Sequence, residues 1–187
     1  MKLLERNFLL YKVLNSLFTG LSVGILFTIY EPLKPIVYSV GGMVLAVAML
    51  VIALFYEKLL NIRSFFKITM VVEVVMLLTL VIFMVMGVSL YSALLIYSGY
   101  QLTFIFGGYL VRAETLVAHE KDLLMKIDMS KQIGYCAGMG LSALFYLAVE
   151  YFLDMTESLD QIKLLHYFLI ALQSAIILTV VTSFKVK

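Results

Sequence analysis

Charge is scarce in this sequence: 14% of its 187 residues are Asp, Glu, Lys or Arg, against about 25% in water-soluble domains. With 63% hydrophobic residues and a mean hydropathy of +1.05, that deficit excludes a soluble enzyme or a nucleic-acid binder. Cysteine is nearly absent. Cys136 stands alone and cannot form an internal disulfide, and two histidines add too few soft ligands for a structural zinc site or a haem, so no metal and no cofactor is expected. A nucleophile elbow, paired acids and metal-spaced histidines are also missing, which leaves no catalytic residue to name, and the lack of a nucleotide loop excludes self-powered pumping. The net charge of +2 is too small to imply a polyanionic partner. What matters in a membrane protein is where the positive charges sit.

What the chain has instead is long apolar runs. Six stretches, roughly 8–30, 33–56, 64–88, 90–111, 129–150 and 162–184, are each long enough to cross a bilayer. They predict an all-α, polytopic membrane protein with one six-helix domain over residues 1–187, in the inner or plasma membrane. The first stretch lacks a small-x-small cleavage site and is expected to be retained. Glu31-Pro32-Leu33-Lys34-Pro35 and Gly87-Val88-Ser89 read as tight turns. Lys2, Arg6, Lys12, Lys58, Arg63, Lys67, Arg112, Lys121, Lys126, Lys131, Lys185 and Lys187 fall on one side, and Lys34 and Lys163 on the other. That split of 12 against 2 among the 14 basic residues makes the richer side cytoplasmic and places both termini inside. The acidic segment Glu150, Asp154, Glu157, Asp160 reads as a solvated outer loop.

Polar residues within the spans are the candidate site. Asn15, Thr19 and Ser22 share one face of the first span, beside a small-residue stripe of Ser16, Gly20 and Gly24. This face is either a cavity wall or a set of interhelical hydrogen bonds. In the fourth span Tyr97, Tyr100, Gln101 and Phe104 share a face, with Gln101 about 16 Å along the helix, near mid-bilayer. A buried glutamine needs partners from protein, water or ligand, so Gln101 lines a cavity or ties helices together. Glu73 is the acid well inside a span, about nine residues from the start of the third. A charge there costs at least about 2.5–3.5 kcal/mol. It is a candidate proton carrier, or else a structural carboxyl satisfied by Thr69 and nearby lysines. Ser130, Gly134, Gly138 and Ser142 recur every four residues in the fifth span and imply a closely packed partner helix. His166 and Gln173 share a face of the sixth, the histidine reading as a wet or hydrogen-bonded residue.

Gly107-Gly108-Tyr109-Leu110-Val111-Arg112-Ala113-Glu114-Thr115, then His119-Glu120-Lys121-Asp122 and Lys131-Gln132-Ile133-Gly134-Tyr135-Cys136-Ala137-Gly138-Met139-Gly140, resemble the fourth helix, following loop and glycine-rich fifth helix of the amino-terminal half of major facilitator superfamily transporters. Ala53-Leu54-Phe55-Tyr56-Glu57-Lys58-Leu59-Leu60, with Arg63, resembles that family's loop signature in its acid and base but not in its two glycines. The family's intramembrane arginine in the fourth helix and proline in the fifth are not found. The resemblance is motif-specific near 53–63 and 107–142 and extends to all six spans in topology.

That family has two six-helix halves related by an axis along the membrane normal, so the resemblance implies that two copies of this chain form a parallel homodimer. It also implies a solute cavity walled by Asn15, Thr19, Tyr97, Tyr100 and Gln101; proton coupling through Glu73 is expected from that residue's own place in the third span. Glu57, Lys58 and Arg112 are the implied cytoplasmic gate, and Gly134 and Gly138 the implied dimer seam. The expected function is secondary transport of a small solute by alternating access, with the chain itself, the lipid bilayer and the solute as partners. The alternative is a non-transporting assembly or regulatory subunit whose small-residue ladders dock partner helices.

Overall fold

Caps and chain reversals set the helix ends in the computed structural model, which describes the backbone of residues 1–30, 33–87 and 89–185 and their side chains except 26–30. Glu31 and Pro32 of the first expected turn, Val88 of the second, and Lys187 lie outside the described residues. A two-residue strand β1 (Lys2–Leu3) precedes α1 (Glu5–Tyr30). Pro35 opens α2 (Pro35–Leu54), where its missing N–H costs nothing. A single-turn α3 (Tyr56–Leu59) then leads to Asn61, whose side chain caps α4 (Ile62–Met86) by accepting from the Arg63 and Ser64 amides at 3.1 and 3.0 Å. Gly87 ends α4 at φ +62°, and Ser89 and Ser92 cap each other at the start of α5 (Leu90–Ala118). α6 (Lys121–Leu153), α7 (Ser158–Thr182) and the strand β2 (Phe184–Lys185) complete the chain.

Six of these helices, all but α3, are long and apolar enough to span a membrane. Two differ from the expected spans. α5 continues seven residues beyond 111 and α6 begins eight before 129, so the charged stretch read as a loop is helical except for His119 and Glu120. Hydropathy marks where hydrocarbon ends, not where backbone hydrogen bonding ends. With no glycine or proline between 112 and 128, and an Asp122–Lys126 pair at i,i+4 (2.5 Å), nothing stops the helices until His119 turns the chain at φ +56°.

The chain ends meet. β1 pairs antiparallel with β2, Lys2 opposite Lys185 and Leu3 opposite Phe184, and the Phe184 ring packs on Phe8, Phe65 and Phe66 at 5.1–6.1 Å between centroids. Both termini therefore lie on one side, as an even number of crossings requires.

Neighbouring helices run in the order α6, α1, α7, α4, α5, α2. Exchanging α1 for α5, α2 for α6 and α4 for α7 maps these principal pairs onto one another. Because consecutive spans alternate in direction, the second three-helix unit is inverted relative to the first. The tightest pair is α1 with α6. A Cβ on Gly138 would lie 3.0 Å from the Gly20 Cα, and one on Gly20 would lie 2.8 Å from the Met139 nitrogen. Two stripes of small residues thus let the backbones meet directly. At the other edge α2 buries none of its residues and leaves Met43, Val47 and Leu50 more than 60% exposed.

Candidate functional site

Three helices converge on Glu73, the twelfth of the 25 residues of α4 and hence at mid-span. Tyr11 and Asn15, one turn apart on α1, reach it together: the Tyr11 hydroxyl donates to Oε1 at 2.8 Å and the Asn15 amide donates to the same oxygen at 3.0 Å. From α7, Gln173 Nε2 donates to Oε2 at 2.7 Å and to the Glu73 backbone carbonyl at 2.9 Å. Glu73 is 2% exposed, Gln173 is fully buried and Tyr11 is buried. As the amides are turned, both present N–H groups to the carboxyl; the tyrosine hydroxyl can also accept, and so can either amide when turned over. Two buried oxygens beside it, Thr69 Oγ1 and Gln173 Oε1, have no hydrogen-bond partner among the described residues. Among the described residues, neither Thr69 nor any lysine bonds the Glu73 carboxyl as expected for a structural one.

A second cluster lies nearer the side that holds the termini. Glu114 on α5 pairs through Oε2 with Lys12 on α1 and through Oε1 with Lys131 on α6; Lys131 also reaches Asp128 at 3.3 Å. Glu114 and Lys12 are buried. The Lys12 ammonium sits 5.0 Å from the Tyr11 ring centroid and 5.1 Å from that of Phe8, within cation–π range. Tyr11 therefore touches both clusters, with its hydroxyl on Glu73 and its ring under Lys12.

The remaining expected residues separate. Thr19 is exposed, and its hydroxyl donates to the Asn15 carbonyl of its own helix at 3.0 Å. Tyr97 turns toward α2, stacking edge-on with Tyr38 at 5.5 Å and filling the space above Gly41. Tyr100 faces a small internal cavity of about 10 Å³ with Ser22, Thr79 and His166. Gln101 is half-buried on α5, and its side-chain oxygen is enclosed without a partner among the described residues. No hydrogen bond joins it to Asn15 among those residues. Glu57, Lys58 and Arg112 are exposed and, among the described residues, form no ion pair within the chain. Gly134 and Gly138, placed at a seam between protomers from the sequence, face Val13, Ser16, Leu17 and Gly20 of α1 instead. That face is filled by the protomer's own helix, and the Ser142 hydroxyl continues the contact by donating to the Leu21 carbonyl at 3.4 Å.

Lys12 and Lys131 fell inside expected spans but were read only as charges on the cytoplasmic side, and Glu114 fell in the charged stretch read as a loop. The missed signal is helical phase, since continuing α5 beyond 111 makes Glu114 helical and brings it to Lys12 and Lys131. Gln173 and Tyr11 had a weaker signal: a polar side chain in each apolar run needs a partner, and Glu73 is the matching acceptor. No family model, no curated protein and no solved structure matches this chain.

Proposed function

We propose that the chain is a secondary transporter of a small solute, working as a parallel homodimer by alternating access and coupled to protons through Glu73. The observation that supports this most is Glu73 itself, a carboxyl at mid-span held by side chains from two other helices. Intramembrane ionisable groups in such settings mark ion or proton pathways. Gln173 can serve either state of that carboxyl. Its N–H group donates to the ionised form, and turning the amide over brings its unpartnered oxygen to accept from the protonated one.

The inverted three-plus-three pairing of the helices supports kinship with one half of a major facilitator transporter, whose halves contain such repeats. In a parallel dimer the outer faces of α2 and α6 would meet across the two-fold axis, and α1 and α5, which barely touch within the protomer, would wall a central cavity. Thr19 would line it, and the enclosed Gln101 oxygen would gain a donor from solute or water as it opens. In that dimer Glu57, Lys58 and Arg112, all exposed, would pair across the cytoplasmic mouth. The docking alternative loses its main support, because the small-residue ladders are occupied by each other within one protomer.

The test begins with a thermal-shift screen of the purified protein against a broad metabolite and drug panel, since a ligand of the folded state raises its stability. A stabilising solute should then accumulate in proteoliposomes carrying the protein. Absence of uptake for every stabilising solute would reject the proposal.

A further inference from the structure

We infer that Lys12, Glu114 and Lys131 form a charge latch closing the bundle between α5 and the α1–α6 pair on the side of the termini, and that proton occupancy of Glu73 sets whether it is closed. The second half rests on the proposed role of Glu73 as proton carrier; the first does not.

The latch follows from where the ion pairs lie. α5 packs on α4 and α2 and makes only marginal contact with α1 and α6. Across that loose boundary Glu114 spends one carboxylate oxygen on each neighbour. Breaking such a pair leaves a buried charge uncompensated, so the contact is held firmly while closed and is released only with hydration. Water has a route to it. A cavity of about 610 Å³ opens on this side between β1, the turn at 60–62 and the α5–α6 turn. Its lining includes Val117 and Ala118, one turn beyond Glu114 on the same face of α5, about 5–6 Å along the helix.

Coupling follows from the charges around Lys12. The buried charged groups are Lys12, Glu73 and Glu114, while half-buried Lys131 is shared between Glu114 and exposed Asp128. With Glu73 ionised, Lys12 is attracted by two carboxylates, and a proton on Glu73 removes one of them. Lys12 is then released toward water more readily, so protonation favours opening. The groups facing Glu73 are few. α1 presents Tyr11 and Lys12, which attracts it without pairing directly; α7 presents the uncharged Gln173. His166 lies seven residues from Gln173, stacked on Phe83 at 4.0 Å with Nδ1 2.8 Å from the Ile162 carbonyl oxygen. α5 and α6 present Glu114 and Lys131, which bear on Glu73 by way of Lys12.

Ala113, 1% exposed and adjacent to Glu114, is the reporter position. The probe is a hydrophilic maleimide, applied to Ala113→Cys in a Cys136→Ser background in lipid nanodiscs, with rates normalised to unfolded protein at the same pH. Labelling should be slow in that background and rise at least tenfold in Lys12→Met/Glu114→Gln, which removes one charge of each sign. It should rise equally in Glu73→Gln, and on acidification only where Glu73 is intact. Glu114→Asp, with its shorter reach, should fall between. Unchanged labelling in both Glu114 variants, with melting temperatures preserved, would overturn the latch. A rise in those variants with none in Glu73→Gln or on acidification would overturn the coupling. No solute is needed, so this result stands apart from any uptake assay.

Discussion

Replacing Gly138 with alanine adds one methyl group where two helix backbones already touch. The new Cβ would lie 3.0 Å from the Gly20 Cα and nearer still to the Leu17 carbonyl oxygen. Carbon atoms pack at about 3.5–4.0 Å. Both obstacles are backbone, so no rotamer change relieves the clash and α1 must move away from α6. Overpacking of this kind costs about 1–3 kcal/mol. The control is Gly140→Ala, two residues on, where an added Cβ meets nothing within 4 Å. Both substitutions gain the same helix propensity, roughly 1 kcal/mol, so their difference isolates the steric cost. At about 2–4 °C per kcal/mol for a chain of this size, Gly138→Ala should melt roughly 2–12 °C below Gly140→Ala. Heating purified variants and measuring the monodisperse fraction by size exclusion reads this directly. If the two melt within about 1 °C of each other, the close α1–α6 contact is wrong.

Cysteines replacing Lys34 and Lys163, in a Cys136→Ser background, should react with an impermeant label from outside intact cells; reaction of either from the cytoplasmic side alone would invert the topology. Val47 on α2 and Leu141 on α6 are 63% and 49% exposed and each lie twelve residues, about 18 Å, from their helix's outer end. Val47→Cys/Leu141→Cys should therefore form a disulfide between protomers in a parallel dimer, and its absence under oxidising conditions would count against that seam. Gln101→Ala should abolish solute uptake while leaving melting temperature and dimer yield unchanged, because the side-chain oxygen it removes has no partner among the described residues. Full uptake in this variant would take Gln101 out of the binding site.

Hydropathy alone located all six spans, because a run that must cross hydrocarbon cannot hide its composition. It failed at Ala118 and Lys121, since a helix leaving the membrane keeps its hydrogen bonds while losing its apolar character. Glu73 was legible as a lone acid at mid-span, and Asn15 as a polar residue needing a partner. That these two meet was not legible, since Asn15 and Glu73 are 58 residues apart in sequence and reach each other only because α1 and α4 both pack on α7. The glycine ladder of α6 announced a close neighbour but not which one. Its match with Ser16 and Gly20 on α1 settles the partner sterically, because larger side chains on either stripe would hold the backbones apart.

Proton movement tied to solute movement tests the central claim most directly. Proteoliposomes containing a pH-sensitive dye, with the protein reconstituted and no imposed gradient, should change internal pH when a stabilising solute is added outside. Glu73→Gln should bind that solute with an unchanged thermal shift and produce no pH change. Uptake without any proton movement in the unmodified protein, or proton movement that persists in Glu73→Gln, would contradict the account.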